Sequence, residues 1–355
     1  MDPNTFIPTP DPIPAPSWFF IILEQLLFLL HIIVINAVLG GALILLFKRI
    51  FKKEDAEIDR SVAFRLPTLI ALGINFGVAP LLFIQVVFGN LFFTSSVLMA
   101  VYWILIIPLL IIAYYGLYIN YNSLSPLFMH VSLVIASVII LYIGFMFVNN
   151  NSLMEQPEKW SAYLENRGGT ILNISDPIFL PRYLHFIAAS VAIGGLLYAI
   201  VLNVKQKKDK SVDQQKIINS LKIFAIATSI QVIIGFWFLL SVPSEFIMNF
   251  MGKDLFSTIV LLAGIAGGIG AIVFGFLGKL NAAVIHALLT LIAMVITRYN
   301  LRMMYLSDNF QLSSLTLEPQ YIILVLFLII LVAGLGSVFY MLKISSVKAE
   351  RRAAQ

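Results

Sequence analysis

The chain has 355 residues, of which 60% are hydrophobic and only 12% charged, and its mean hydropathy is +0.96. These values exclude an ordinary soluble domain and are typical of integral membrane proteins. The net charge of +5 does not indicate a nucleic-acid partner, because the basic residues lie in short connections between apolar runs. Cysteine is absent, which excludes disulfides, iron–sulfur ligation and covalent haem attachment.

Nine apolar runs are each long enough to cross a bilayer as a helix. They cover approximately residues 18–47, 64–92, 97–119, 124–148, 178–203, 217–242, 255–277, 280–298 and 320–342. The sequence therefore predicts an all-α integral membrane protein with about nine transmembrane helices in the lipid bilayer. Little of the chain is left for a domain outside the membrane.

Basic residues mark one side of this predicted bundle, whose connections carry 17 of the 23 Lys and Arg residues. The positive-inside rule places this side in the cytoplasm, so we expect the C-terminus inside the cell and the N-terminus outside. A proline-rich arm and the longest loop, which could dock a partner, then lie outside. We expect the four tryptophans to form an interfacial belt near that outer side. They are Trp18, Trp103, Trp160 and Trp237.

An internal duplication relates the first four runs to the next four. His31 and His185 are 154 residues apart, and His130 and His286 are 156 apart; the chain has no other histidine. The glycine pairs that follow the first two histidines repeat the separation of 154, and the mid-run amides repeat that of 156. These residues are Gly40, Gly41, Gly194 and Gly195, and the amides Asn75 and Gln231.

Four helices per repeat is an even number, so we expect the two repeats to share one orientation and to be related by an axis along the membrane normal. The predicted segments follow from this duplication. They are an outer arm at 1–17, a first four-helix repeat at 18–150, an outer loop at 151–177, a second repeat at 178–300, an outer loop at 301–318, and a ninth helix with a cytoplasmic tail at 319–355.

The duplication places the histidines at two matching depths, because a helix rises about 1.5 Å per residue. His130 and His286 lie about 10 Å from the cytoplasmic side, whereas His31 and His185 lie about 24 to 28 Å from it. Two ligands of one metal must approach within about 4 Å. We therefore expect two stacked sites, His31 with His185 and His130 with His286. The alternative for each histidine is a polar residue packed against a neighbouring helix.

An apolar macrocycle suits such sites better than copper or zinc, because no carboxylate accompanies the histidines at their depth. Gly40, Gly41, Gly194 and Gly195 either offer it flat surfaces or serve close helix packing.

Polar residues near the predicted sites have two interpretations each. Arg182, Arg298 and Arg302 either pair with haem propionates or anchor the helices at the interface. Glu24 either relays a quinol proton or lies at a water-exposed helix end. Asn36 and Gln85 lie in apolar runs. They either contact a quinone carbonyl or link helices.

Three stretches carry a resemblance to a known family. The run from His31, the stretch GINFGVAPLL at 73–82 and the stretch PRYLHFIAASVAIGG at 181–195 resemble the cytochrome bd quinol-oxidase subunit I superfamily, and most closely its short bacterial relatives encoded with c-type cytochromes. The resemblance implies His31 and His185 as haem ligands, each serving a different haem. It also implies Met294 as the counterpart of a methionine ligand, and a bacterial inner-membrane location.

The chain departs from the family in its acidic residues. The third run, residues 97–119, contains no Asp or Glu where the family has a pair, and the long quinol-binding loop and a late glutamate ligand are also missing. Terminal oxygen reduction is therefore not expected. We expect instead a haem b electron-transfer subunit, with two haems, that exchanges electrons between quinol or quinone and a periplasmic c-type cytochrome or other subunits of an oxidoreductase complex.

Two other functions fit the sequence. One is a cofactor-free transporter built from repeats, which usually shows intramembrane charges; we expect no buried charge cluster here. The other is a passive membrane anchor for a larger complex.

Overall fold

The computed structural model describes residues 7–53, 55–208 and 213–353, and within these ranges it has eleven α-helices and no strand. The helices are α1 (Ser17–Ile50), α2 (Ala56–Val87), α3 (Gly89–Leu98), α4 (Ala100–Asn122), α5 (Pro126–Glu155), α6 (Phe179–Lys208), α7 (Gln214–Ser241), α8 (Ser244–Met248), α9 (Leu255–Phe276), α10 (Leu280–Leu306) and α11 (Tyr321–Ala353). All but α3 and α8 are long and apolar enough to cross a membrane, which makes nine spans in the described chain. The prediction of an all-α multi-pass membrane protein is confirmed.

Among the helix starts, the largest difference from the predicted boundaries lies at α2. It begins at Ala56, eight residues before the apolar run that predicted it, because its first turns are polar and hydropathy alone misses them. Asp55 caps this end, and its side chain accepts a hydrogen bond from the backbone nitrogen of Ile58. The helix then ends at Val87, and the short α3 separates it from α4.

The bundle has two faces. We call the face where α1 begins the N-terminal face and the face where α11 ends the C-terminal face. The helix order places α3, the segment 156–178, α8 and the segment 307–320 at the N-terminal face, and the segments 51–55, 123–125 and 277–279 at the C-terminal face.

The packing pattern of the first four spans recurs in the next four. Helix α1 packs on α2 and α4 on α5, while α6 packs on α7 and α9 on α10. Helices α1 and α6 cross at the centre, where a Cβ added to Gly40 would lie 1.7 Å from the carbonyl oxygen of Ser190. The main apolar core surrounds this crossing.

The residues at the crossing are each other's counterparts in the duplication. Gly40 touches Gly194, and Ser190 donates a hydrogen bond of 2.8 Å to Asn36. Both pairs have the offset of 154 residues. Equivalent positions contact one another only near a two-fold axis, so the two repeats meet around such an axis between α1 and α6.

Ion pairs at the C-terminal face join the two repeats. Lys216 at the start of α7 donates to Asp55 at 2.5 Å, and Lys205 on α6 pairs with Glu57 on α2. The hydrogen bond from Lys216 lowers the pKa of the Asp55 carboxyl below its usual value.

Segments at the N-terminal face pack against each other. The backbone of Ile13 donates to Thr316 at 2.8 Å and accepts from Glu318 at 3.0 Å, so the end of the proline-rich arm pairs with the segment before α11. Helix α11 lies at the edge of the bundle, where Phe327 contacts Phe19.

The expected tryptophan belt is wrong for Trp160. Its side chain is only 1% exposed and donates to the carbonyl oxygen of Leu153 at 2.8 Å, because the segment 156–178 folds back over the end of α5. Trp18 and Trp237 are exposed, as an interfacial position requires.

Candidate functional site

His31 lies on α1 and faces α2. Its Nδ1 atom is 2.8 Å from the carbonyl oxygen of Gly73. A carbonyl can only accept, so Nδ1 carries the proton and Nε2 keeps its lone pair in the neutral ring. The ring packs directly against α2, where a Cβ added to Gly77 would lie 2.6 Å from it. A glycine is therefore required at residue 77 for the ring to keep this position.

His185 takes the corresponding place on α6 and faces α7. Its Nε2 atom is 3.2 Å from Gln231 Nε2, and a Cβ added to Gly235 would lie 3.2 Å from the ring. Its Nδ1 atom is buried and has no hydrogen-bond partner among the described residues. A buried ring nitrogen without a partner is unfavourable, and a ligand at that atom would remove the cost.

These contacts correct the predicted match between the second helices of the repeats. Gly77 and Gly235 hold equivalent places against the two histidines and are 158 residues apart. The predicted equivalence of Asn75 with Gln231, 156 apart, is wrong: Asn75 is exposed and donates to the carbonyl oxygen of Ala71 on its own helix. The glycines that contact the histidine rings therefore define the alignment of α2 with α7 better than the two amides do.

His130 and His286 lie near the C-terminal face, and each binds its own helix. Their Nδ1 atoms lie 2.6 Å and 2.9 Å from the carbonyl oxygens of Pro126 and Ala282, one turn earlier. Nε2 therefore keeps its lone pair in both rings. The His286 ring also packs 4.8 Å from the Phe274 ring of α9, between centroids. It lines a groove of about 500 Å³ whose other walls are apolar side chains of α9 and α10.

The structure places His31 and His185 each against the second helix of its own repeat, α2 and α7. In the described chain, no three His, Asp or Glu side chains converge on a metal position. The residues nevertheless fit haem b, because ligation needs one imidazole nitrogen and an oriented ring. His31, His130 and His286 each have Nδ1 held by a carbonyl, which leaves Nε2 for iron. That each predicted pair shares one iron stays a prediction.

The two glycine pairs that follow His31 and His185 lie where helices cross. Gly40 and Gly194 touch across α1 and α6; Gly41 packs against side chains of α2 and α6, and Gly195 packs against the α7 backbone. This is the arrangement that the packing interpretation expects. Met294 packs its methyl end against Gly264 of α9.

Glu24 is buried, so its interpretation as a water-exposed helix end is wrong. It is 3% exposed and accepts a hydrogen bond of 2.8 Å from Arg302, which is 0% exposed. Arg302 is likewise an internal ion-pair partner and not an interfacial anchor. Glu24 and Arg302 are 278 residues apart in sequence, and local patterning carries no signal for such a contact.

A second buried ion pair lies nearby. Arg182 donates to Glu155 at 2.9 Å, so this arginine already has a carboxylate partner. The expectation of no buried charge cluster is wrong. Glu24 and Glu155 lie on α1 and α5, helices of the first four spans, whereas Arg182 and Arg302 lie on α6 and α10, helices of the next four. The sequence held one signal for this cluster, a break in the duplication. The residue equivalent to Glu24 in the second repeat is Ile178, and the residue equivalent to Arg182 in the first repeat is Phe28, so each charge has an apolar counterpart.

Arg298 is a third arginine of this cluster. It donates to Asn151 on α5 at 3.0 Å, and its guanidinium carbon lies 4.4 Å from the centroid of the Phe28 ring. Unlike Arg182 and Arg302, it has no carboxylate hydrogen-bond partner in the described chain.

The two amides considered for quinone lie in different surroundings. Asn36 is buried and accepts from Ser190, so it links α1 to α6. Gln85 lines a cavity of about 300 Å³ at the N-terminal end of the bundle. Aromatic rings from Phe92 and Trp103 line the same cavity, and Ser96 is its other polar side chain.

No protein-family model matches the chain, and no curated protein matches it.

Proposed function

We propose that the protein is a haem b electron-transfer subunit of a bacterial inner membrane, which exchanges electrons between quinol or quinone and a periplasmic c-type cytochrome. The proposal depends on one observation: three of the four duplicated histidines hold Nδ1–H on a backbone carbonyl, so that Nε2 carries the lone pair that can bind a metal. In metal-binding histidines this second hydrogen bond fixes the tautomer and raises the basicity of the ligating nitrogen.

A bound haem would supply one-electron transfer. The chain would orient it and exclude water from it. Gly73 and Gly77 fix the His31 ring on one side, and Gln231 and Gly235 fix the His185 ring. Because the two pairs of histidines lie at different depths, haems held at both levels would give a path across the bilayer.

The cavity at Gln85 supports a quinone site at the N-terminal face. Its amide can donate to a quinone carbonyl, and the rings of Phe92 and Trp103 offer apolar surfaces for the quinone ring. We place this face on the periplasmic side because the basic connections lie at the opposite face. The cytochrome partner would then dock on the same side as the quinone.

A reduced-minus-oxidised spectrum of the purified chain, with pyridine extraction to count haems, tests the proposal. We expect a haem b signal from the wild type, and loss of at least one haem from each of His31→Ala and His185→Ala. Asn75→Ala is the matched control, because that amide lies at a similar depth on α2 but is exposed and bonded to its own helix. A wild-type chain without any haem signal would exclude this function.

The buried ion pairs favour a second candidate, a cofactor-free transporter. Charged groups inside a membrane protein often mark a substrate path. Glu24, however, lies seven residues into α1, about 10 Å from its start, whereas transporter sites lie near the midplane. The position of the cluster therefore supports the transporter less well than the histidines support haem binding. The haem count separates the two functions.

A further inference from the structure

The strongest unexplained feature is the side chain of Arg298. It lies one turn before Arg302 on α10, and both donate to the side-chain oxygen of Asn151 on α5. The Phe28 ring of α1 covers one face of its guanidinium group. This leaves Nη1, which is buried and has no hydrogen-bond partner within the described ranges.

The charges around Arg298 do not balance. The charged groups that act on it are Arg182, Arg302, Glu24 and Glu155. Each carboxylate already accepts from another arginine, Glu24 from Arg302 and Glu155 from Arg182. Asn151 accepts hydrogen bonds but carries no charge. Among Arg298 and the four charged groups that act on it, three guanidinium groups share two carboxylates, and Arg298 is the one without a carboxylate hydrogen bond.

We propose that Arg298 binds an oxyanion, the carboxylate or phosphate of a ligand in the membrane, through Nη1 between α1, α5 and α10. A guanidinium group that has a buried, unpartnered nitrogen and no counter-charge is strongly unfavourable. Arginine also binds carboxylate and phosphate through its planar fork of donors. With Nη2 held by Asn151 and one face covered by Phe28, Nη1 is oriented before the anion arrives.

Two sources can supply this oxyanion. One is a propionate of a bound haem, and the other is the phosphate of a phospholipid headgroup. Arg298 lies eight residues before the end of α10, about 12 Å from the N-terminal face. With a phospholipid phosphate as the source, the inference is independent of the proposed function; with a haem propionate it rests on that function, and the haem count of the wild type separates the two.

The test compares the full-length wild type with Arg298→Gln and with the control Arg167→Gln, which removes an exposed charge in the segment 156–178. Native mass spectrometry, phosphorus analysis and pyridine extraction identify what each purified chain retains. We expect the wild type and Arg167→Gln each to retain one oxyanion-bearing molecule per chain that Arg298→Gln does not. The amount retained by Arg298→Gln should be at least ten-fold lower. Loss of phospholipid identifies the phosphate source, and loss of haem identifies the propionate.

Melting temperatures test the inference independently of ligand retention, because the effect of Arg298→Gln on stability should change sign when bound ligands are removed. As purified, Arg298→Gln should lower the melting temperature, because the bound anion is lost. After exhaustive delipidation and haem extraction of both chains, the same substitution should raise it, because the excess buried charge is gone. Adding phosphatidylglycerol should then stabilise the wild type more than the variant if phosphate is the source.

Two results would overturn the inference: equal ligand retention in wild type and Arg298→Gln, or a higher melting temperature for the variant in both states. If Arg298→Gln cannot be purified, Arg298→Lys replaces it. The lysine keeps the charge but not the fork, so weaker retention of the same molecule is expected, and undiminished retention counts against the inference.

Discussion

At the scale of single residues, hydrogen bonds and charge pairs decide what each polar side chain can do. The sequence identified all four histidines as candidates, since they stand out in an apolar chain. It could not show that three of them bind carbonyls through Nδ1, because that depends on ring orientation. It also could not show the partners of Glu24 and Arg182, which come from helices distant in sequence.

The Glu24–Arg302 pair gives a prediction at this scale. Replacing Glu24 by Gln leaves Arg302 without a carboxylate, and breaking a buried pair from one side costs about 3 to 5 kcal/mol. We therefore expect a lower melting temperature in detergent. Glu158→Gln, which removes an exposed acid in the segment 156–178, should leave it unchanged.

The double variant Glu24→Leu with Arg302→Met removes both charges. It should recover most of the lost stability, because apolar replacements of a buried pair are often neutral. Equal stability of Glu24→Gln and wild type would show that the pair does not stabilise the fold.

At the scale of helices, continuous apolar runs were enough to predict all nine spans. A bilayer requires uninterrupted apolar segments. Boundaries were harder. The charged first turns of α2 and the break at Phe88 depend on capping and tertiary packing, which hydropathy does not report. Only the glycine pairs in the sequence indicate the contact between α1 and α6. The same glycines are equally compatible with a flat surface for a haem, so the sequence alone does not predict the contact.

The α1–α6 crossing gives the second prediction. In Gly40→Ala the new methyl group would lie 1.7 Å from the Ser190 oxygen, so the helices must separate by about 1 Å or more. Because backbone atoms line both sides, no side chain can move aside. We expect little monodisperse protein by size-exclusion chromatography.

Gly334→Ala on α11 is the matched control, since nothing lies within 4 Å of a Cβ there. It should behave as wild type. Normal assembly of Gly40→Ala would mean that α1 and α6 do not meet as described.

For the complete bundle, the distribution of charge predicts an orientation in the membrane that can be measured directly. The chain has no cysteine, so a thiol reagent can label only the single cysteine that is introduced. Ser161→Cys reports the N-terminal face, because Ser161 is exposed there. Leu124→Cys reports the C-terminal face, where the Leu124 side chain is 99% exposed.

With a membrane-impermeant maleimide on intact bacterial spheroplasts, we expect labelling of Ser161→Cys alone. Leu124→Cys should react only after permeabilisation. The opposite pattern would place the basic connections outside and would move the proposed quinone and cytochrome sites to the cytoplasmic side.

The division of the buried charges near the N-terminal face between the two repeats constrains how the halves can associate. Glu24 and Glu155 lie on one half, and Arg182, Arg298 and Arg302 lie on the other. In two copies of the first half, Glu24 and Glu155 would face Met146 and Phe28, which are the counterparts of Arg302 and Arg182. In two copies of the second half, Arg302 would face Ile178, the counterpart of Glu24. Although the halves share one architecture, each can complete its interior only with the other, so the molecule has the backbone symmetry of a homodimer and the pairing rules of a heterodimer.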